Sequence, residues 1–146
     1  MKNLKLRKAS TADCEFAYRT KKTAFRGYLE QVGGWNEDEQ RQLHQRRFAA
    51  HDFRVIELSG KDVGILAMSR QPDCVKLYQM FILPVYQGKG IGEACMKLIV
   101  KDADVLKLPI RLQVLKVNPR ALAFYHRLGF KQIGESDDHI LMERLS

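Results

Sequence analysis

This chain has few of the residues that cross-link small folds or bind metals. It contains only three cysteines, Cys14, Cys74 and Cys95, an odd number that lies far apart in sequence without paired spacing. This pattern favours free thiols in a reducing compartment over a disulfide framework or a zinc site. The four histidines also lack the spacing of metal ligands, so we expect no metal.

Long apolar segments are missing too. No run approaches the about 18 consecutive apolar residues of a membrane span. The polar start Met1-Lys2-Asn3-Leu4-Lys5 differs from a secretory signal segment. We therefore expect a cytoplasmic protein that does not associate with membranes. Repeats, low-complexity tracts and linkers are absent as well, so we expect one domain over residues 1–146.

Acidic residues are scarce relative to basic ones. There are 17 Asp and Glu against 25 Lys and Arg, which gives a formal net charge of +8. Such an excess attracts polyanions, so a basic nucleic-acid-binding domain is one hypothesis. The basic residues are scattered, however, and no basic stripe alternates with aromatics, so we do not expect nucleic acid as the partner. A small ligand with several phosphates would gain from the same charge.

The most informative segment is an apolar stretch followed by a glycine-rich loop and a helix. Residues 77–83 predict a strand that ends at Pro84, and apolar residues recur at helical spacing from Ile91 onward. The loop between them contains Gln87, Gly88, Lys89 and Gly90. Glycines at a helix start leave backbone N–H groups accessible where the helix dipole is positive. The loop therefore predicts a site for a phosphate or pyrophosphate.

The glycine spacing differs from two common phosphate-binding loops. A Walker loop has Ser or Thr after Gly-Lys, whereas Gly90 follows Gly88-Lys89 here. In a Rossmann loop the third glycine lies three residues after the second, whereas these glycines alternate at 88, 90 and 92. The arrangement Gln87-x-x-Gly90-x-Gly92 instead resembles the acetyl-CoA loop of the GNAT N-acetyltransferase superfamily.

A second segment carries the same resemblance. Residues 114–130 predict a strand and then read Asn118-x-x-Ala121-x-x-x-Tyr125-x-x-x-Gly129-Phe130, which is similar to the other GNAT hallmark. The two motifs occur in the family's order and at its separation. The resemblance covers the whole chain in outline and residues 77–130 in detail.

The resemblance and the order of predicted elements indicate an α+β fold. Strands are predicted on both sides of the central strand–loop–helix unit, and Gly33-Gly34 separates two predicted helices. We expect a GNAT-like mixed, mainly antiparallel sheet of about six to seven strands, flanked by about four helices.

The resemblance implies an acyltransferase that moves an acetyl group from acetyl-CoA, its cosubstrate, to a primary amine by direct attack in a ternary complex. The cofactor-binding residues that it implies are Met80, Phe81, Ile82, Gln87, Gly88, Lys89, Gly90, Ile91, Gly92, Glu93 and Asn118. Asn118-Pro119 also has a purely local explanation, because Asn is a favoured helix cap and Pro a favoured first helical residue.

Tyr125 is the candidate catalytic residue. By the resemblance, its hydroxyl protonates the departing CoA thiolate. The residues alone favour a half-buried core tyrosine, since Ala121 and Leu128 share its helix face, and only the resemblance favours catalysis.

A general base is not evident. Some family members carry a glutamate on the strand before the loop or on the following one. The corresponding positions here hold Lys76, Tyr78, Gln79 and Gln113. Water held by Gln79, or an amine that arrives neutral, would serve instead. A CoA-binding module of the same fold that has weak or no activity therefore stays open as an alternative.

The acceptor is expected to be a small-molecule or peptide amine. The segment Phe25–Glu39, expected between the first two helices, is predicted to border its site. Glu30 would attract a cationic amine, and Trp35 would contact it through a cation–π interaction. The alternatives are that Glu30 is a solvated acid and that Trp35 packs against the second helix. A homodimer is left open.

Overall fold

A computed structural model describes all residues from Met1 to Ser146. Short 3₁₀ turns, Thr11–Asp13 and Pro84–Tyr86, precede the first helix and follow the fourth strand. The helices and strands are β1 (Leu4–Lys8), α1 (Cys14–Val32), α2 (Glu37–Ala50), β2 (Asp52–Leu58), β3 (Lys61–Arg70), β4 (Val75–Ile82), α3 (Ile91–Val105), β5 (Ile110–Leu115), α4 (Pro119–Arg127), β6 (Lys131–Glu135) and β7 (His139–Arg144).

The seven strands form one mixed sheet in the order β1-β2-β3-β4-β5-β7-β6. All neighbouring strands are antiparallel except β4 and β5, which run parallel. The predicted α+β fold with a mainly antiparallel sheet is therefore confirmed. None of the helices combines the length and the apolar character that crossing a bilayer requires.

Local sequence signals begin and end several helices. The side chain of Asn36 accepts a 3.0 Å hydrogen bond from the backbone N–H of Glu39 at the start of α2. Asn118 caps α4 in the same way, accepting from the N–H of Ala121 at 3.1 Å, and Pro119 is the first helical residue. Helix α1 ends at Val32, Gly33 is its C-cap, and Gly34 takes a φ of +93°.

The segment Phe25–Glu39 differs from its prediction as a connection. Residues 25–32 are the last two turns of α1, so only residues 33–36 connect the two helices. The reason is an apolar stripe that continues at helical spacing to the end of α1. Near the end of the helix its members are Phe25, Tyr28, Leu29 and Val32, which recur every three or four residues.

The sheet carries packed side chains on both faces. The larger cluster, under α3 and α4, includes Leu77, Ile91 and Leu112. The smaller cluster, under α1 and α2, is formed by Ala17, Phe53, Ile65 and Ala67. Strand β4 lies in the middle of the sheet and contributes side chains to both faces.

Two irregularities of β4 create the space for a site. First, β4 pairs with β5 only where Val75–Leu77 face Ile110–Leu112, although both strands continue further. Second, the pairing of β4 with β3 skips Tyr78, which forms a β-bulge. Because the bulge shifts the alternation of side chains, Tyr78 and Phe81 both pack on the α1 face.

Candidate active site

The opening between β4 and β5 leads into a cavity of about 770 Å³. The cavity is lined by residues of α1, α2, β4, the loop after β4, α3, β5 and α4. Every predicted cofactor-site residue lines it except Lys89, which is exposed and lies with its Nζ 5.9 Å from the centre of the Tyr86 ring. The structure thus brings together two motifs that lie far apart in sequence.

The glycine loop has the backbone conformation that its sequence predicts. Gly88 and Gly90 adopt φ values of +74° and +83°, which favour glycine. Gly90 is the residue before α3 and offers no side-chain cap, so the first N–H groups of the helix have no partner within it. At Gly92 a Cβ would lie 3.6 Å from Phe124 and 3.7 Å from Met80, which are ordinary contacts, so packing alone does not require glycine there.

Gln87 connects this loop to β4. Its Nε2 donates a 2.8 Å hydrogen bond to the backbone oxygen of Ile82, the last residue of the strand. The amide therefore has a structural role, and a contact with a cofactor stays a prediction. The same holds for Asn118, whose capping role is confirmed and whose cofactor contact is not tested.

Tyr125 lies on α4 and lines the cavity. Its ring packs edge-on against Phe124 and Phe130, with centroids 5.0 Å and 5.4 Å away. Burial raises the pKa of the Tyr125 hydroxyl well above its usual value near 10. The hydroxyl is therefore protonated at neutral pH, which is the state that a general acid requires.

Gln79 is the most unusual polar residue of the cavity. Its side chain is only 6% exposed, and neither Nε2 nor Oε1 has a hydrogen-bond partner in the chain. An unpaired buried amide costs about 1–3 kcal/mol, so such groups in native proteins call for an explanation such as a ligand. Gln79 is among the residues that line the cavity, beside the Tyr78 bulge, so a bound molecule is one source of the missing partners.

Carboxylates are nearly absent from the cavity lining. Glu93 is the only acidic residue there, and it lies in the first turn of α3 with an oxygen 3.7 Å from Nζ of Lys97. Lys76, Tyr78, Gln79 and Gln113 all line the cavity, so the positions that lack a carboxylate do face this space.

One wall of the cavity contains residues that the sequence analysis missed. It is formed by Lys21 and Tyr28 of α1 together with Gln40 and Arg47 of α2. Lys21 is only 2% exposed, and its Nζ donates to Oε1 of Gln40 at 3.3 Å. Burial, and then the charge of Arg47, lowers the pKa of Lys21 to about 8. A lysine within the otherwise apolar stripe of α1 was the signal that could have identified this wall.

Glu30 and Trp35 do not line the cavity. Glu30 is exposed, and its Oε1 lies 2.6 Å from Nε of Arg26 one helical turn earlier. The Trp35 ring packs beside Tyr18, with centroids 6.2 Å apart, and its Nε1 donates to Glu37 at 3.0 Å. The geometry gives no support to a role for these two residues in binding the acceptor, and that role stays untested.

Comparison with known proteins identifies the family. Residues 49–132, more than half of the chain, match the family described as the acetyltransferase (GNAT) domain. The chain belongs to the GNAT acetyltransferase family. This GNAT domain is 34% identical over 92 residues to the N-acetylaspartate synthetase of Danio rerio, covering 61% of this chain and 33% of that protein. It is 35% identical over 85 residues to an uncharacterized N-acetyltransferase of Mycobacterium tuberculosis, covering 57% of this chain and 50% of that protein.

The alignments with these relatives thus span between a third and a half of their length. Solved structures share the fold over nearly the whole domain. The PaiA N-acetyltransferase from Thermoplasma acidophilum in complex with coenzyme A gives a TM-score of 0.80 at 16% identity, covering 98% of this chain and 99% of that chain. A GNAT family acetyltransferase from Elizabethkingia anophelis with acetyl-CoA bound gives a TM-score of 0.77 at 11% identity, covering 100% of both chains.

Proposed function

We propose that this GNAT domain transfers the acetyl group of acetyl-CoA to a primary amine by direct attack in a ternary complex. One observation carries the proposal. The glycine loop at the start of α3, the opening between β4 and β5 and Tyr125 all line a single cavity. The names of the related N-acetyltransferases and the coenzyme A bound to the related structures support it further.

The residues of the cavity fit acetyl-CoA. The unpaired N–H groups in the first turn of α3, together with the positive-φ glycines before it, suit a pyrophosphate. Beyond Leu77, β4 has no partner on the β5 side, so the backbone of Met80–Ile82 can bind the amides of the pantetheine arm. The net charge of +8 also favours a ligand with several phosphates.

Each step of the transfer has a group of this chain that would assist it. Gln79 orients the amine through its Oε1. The amine nitrogen adds to the acetyl carbon, and a backbone N–H of β4 stabilises the oxygen of the resulting tetrahedral intermediate. When the intermediate collapses, the carbon–sulfur bond breaks, the sulfur takes the electron pair and Tyr125 gives it a proton. The nitrogen loses its proton to water, and water returns a proton to Tyr125.

The test combines a binding and a turnover measurement. Calorimetry measures the affinity for CoA, a thiol reagent measures CoA release from acetyl-CoA with a panel of amines, and mass spectrometry identifies the acetylated product. We expect CoA to bind with micromolar affinity, which lies in the common range for enzyme substrates, and to be released from acetyl-CoA only when a suitable amine is present. Absence of both CoA binding and acetylated product would contradict the proposal.

A second candidate is a CoA-binding module of this fold without appreciable turnover. The lack of a carboxylate on the cavity side of β4 and β5 is the observation that favours it. The two candidates differ in the outcome of the same test. The module binds CoA by calorimetry but yields no acetylated amine from any member of the panel.

A further inference from the structure

The cavity wall built from α1, α2 and β4 contains three cationic side chains and no acidic one. The three are Lys21, Arg47 and Lys76, and we refer to them as the cationic wall. None of them forms an ion pair. Other cations on the same helices do, since Lys22 pairs with Glu37 at 2.9 Å and Arg41 pairs with Glu15 at 3.0 Å. The exposed Arg46 also lacks a counter-ion, so the cavity side differs in that its unpaired cations are partly or fully withdrawn from water.

The charges of the cationic wall affect the pKa of Lys21 and of the neighbouring His51. After burial, the charge of Arg47 lowers the pKa of Lys21. Burial, and then the charges of Arg47 and Lys76, lowers the pKa of His51, which stacks on Tyr78 with centroids 3.7 Å apart. Arg47 thus lies near both Lys21 and His51, Lys76 lies near His51, and all three cations line the same cavity.

Lys21 shows most clearly that a partner is missing. Its ammonium group has three donors, and the chain provides one acceptor, Oε1 of Gln40. A buried charge without an opposite charge costs free energy. An anionic group in the cavity would supply both the charge and the acceptors.

The cosubstrate is not the source of this anion. The glycine loop leads into α3, whose Ile91 packs in the cluster on one face of the sheet. The cationic wall lies with α1 and α2 on the opposite face, where Ala17 and Phe53 form the smaller cluster. A pyrophosphate held at the start of α3 therefore lies on the other side of the β4–β5 opening from the cationic wall.

We infer that the acceptor carries an oxyanion, either a carboxylate or a phosphate, beside its reactive amine, and that Lys21, Arg47 and Lys76 bind this oxyanion. The inference rests on the proposed acetyl transfer. It reverses the expectation that carboxylates of the protein attract a cationic acceptor. A polyamine without an anionic group would be repelled by the same wall.

The cationic wall also favours the reactive form of the amine. A nearby positive charge lowers the pKa of an ammonium group, and the attacking amine must be neutral. The wall can thereby offset the lack of a carboxylate base in the cavity. The oxyanion is what allows the acceptor to bind despite this repulsion, because it keeps the overall interaction attractive.

The experiment compares pairs of acceptors in which one member carries the anion and the other a neutral group at the same position. Glycine is compared with glycinamide, L-aspartate with L-aspartic acid diamide, O-phosphoethanolamine with ethanolamine, and spermidine is included as a polyamine. We expect kcat/KM to be at least about tenfold higher for an anionic member than for its neutral partner. Acetylation of glycine or L-aspartate identifies the oxyanion as a carboxylate, and acetylation of O-phosphoethanolamine identifies it as a phosphate.

Variants connect this preference to the cationic wall. Lys21→Met and Arg47→Met should each raise the KM of the anionic acceptor about tenfold or more and leave the KM of acetyl-CoA unchanged. Arg46→Met is the matched control, because Arg46 is exposed and lies outside the cavity lining. Equal kinetics for Arg47→Met and Arg46→Met would contradict the inference, as would equal kinetics for acid and amide or a preference for spermidine. In those cases CoA release would still support the proposed transfer.

If no acceptor in the panel is acetylated, binding is measured instead. Calorimetry in the presence of CoA compares N-acetylglycine with N-acetylglycinamide, and O-phosphoethanolamine with ethanolamine. Tighter binding of either anionic member, lost in Lys21→Met, supports the inference. Absence of any preference for the anion overturns it. Loss of CoA binding itself is a separate result, which would contradict the proposed function.

Discussion

Nε2 of Gln87 donates a 2.8 Å hydrogen bond to the backbone oxygen of Ile82, five residues earlier. This bond spans the 3₁₀ turn at Pro84–Tyr86 and attaches the start of the glycine loop to the end of β4. Gly88 and Gly90 then take positive φ before α3 begins. The position of the helix start relative to the β4–β5 opening therefore depends on the anchored loop as well as on its glycines.

Gly90→Asp tests the proposed pyrophosphate site. The change adds a negative charge where we propose a phosphate, at a φ of +83° that most residues avoid. We expect calorimetry to show CoA binding weakened by tenfold or more, about 1.4 kcal/mol. Gly60→Asp is the control, since Gly60 has a φ of +81° in the β2–β3 turn with open space around it. If Gly90→Asp and Gly60→Asp bind CoA equally well, the assignment of the loop fails.

Tyr125→Phe tests the general acid. The change keeps the ring contacts with Phe124 and Phe130 and removes only the hydroxyl. We expect kcat to fall about a hundredfold while CoA affinity is retained. Because the pKa of Tyr125 is raised, its hydroxyl stays protonated to high pH, so its titration should not appear in the pH–rate profile between about pH 6 and 9. Unchanged turnover with a rate-limiting chemical step would leave Tyr125 with a packing role alone.

Gln79→Leu separates stability from activity. Removal of a buried amide without hydrogen-bond partners should leave the free energy of unfolding unchanged or raise it by about 1 kcal/mol. The loss of its contact with the amine should lower kcat/KM about tenfold. Urea denaturation and acceptor kinetics measure the two effects, with the exposed Gln132→Leu on β6 as control. Reduced stability with normal kinetics would show that Gln79 serves only the fold.

Glu30→Gln distinguishes the cationic wall from the acidic site predicted on the sequence. Glu30 is exposed, pairs with Arg26 and lies outside the cavity lining. We expect its substitution to change neither the acceptor KM nor the acetyl-CoA KM, because an exposed i,i+4 pair contributes only about 0.3–0.5 kcal/mol to stability. A raised KM for a cationic acceptor in this variant would instead support an acceptor site at the end of α1, next to Glu30.

Asp13→Asn should change the stability of the domain in acid. Nη1 and Nη2 of Arg7 donate to the two carboxylate oxygens of Asp13 at 2.9 Å and 3.0 Å. The hydrogen bond from Arg7 lowers the pKa of Asp13 to about 2. Since the folded pKa lies below the ordinary value near 4, the stabilisation is complete above about pH 4 and is lost as pH falls towards 2.

We expect Asp13→Asn to lower the free energy of unfolding at neutral pH by roughly 1–2 kcal/mol, because Arg7 is about a third exposed and solvent screens the pair. The difference from the parent protein should shrink between pH 4 and 2 in urea denaturation at several pH values. Asp62→Asn, which removes a more exposed partner of Arg7, is the control. A difference that stays constant down to pH 2 would show that the charge of Asp13 is not its cause.

The helix boundaries that could be predicted from the sequence are those that depend on local hydrogen bonds. Asn36 and Asn118 each cap a helix by binding an N–H three residues later, so spacing alone reveals them. The glycine loop is of the same kind, since the need for positive φ is a property of Gly88 and Gly90 themselves. The extent of α1 was underestimated because its last turns are stabilised by packing, as between Phe25 and Phe81, with ring centroids 4.9 Å apart.

The bulge at Tyr78 could not be predicted from the strand's own residues. Residues 75–82 are compatible with a regular strand, and the skipped residue becomes visible only in the pairing with β3. For this reason the sequence did not distinguish Gln79 from the other polar residues near the loop. Its burial without partners is a property of the packing around β4, which α1 and β3 contact from other parts of the chain.

The amino-acid sequence by itself determined the glycine loop that we propose as the site of the cosubstrate's pyrophosphate, because positive φ and a helix start depend on a few neighbouring residues. The charge of the proposed acceptor side was decided only by the tertiary structure. Lys21 and Arg47 lie on different helices, and each could equally have faced water or an acid such as Glu37. Their burial without counter-ions follows from how α1 and α2 pack across β4, because desolvation depends on what surrounds a charge in space rather than on its neighbours in sequence.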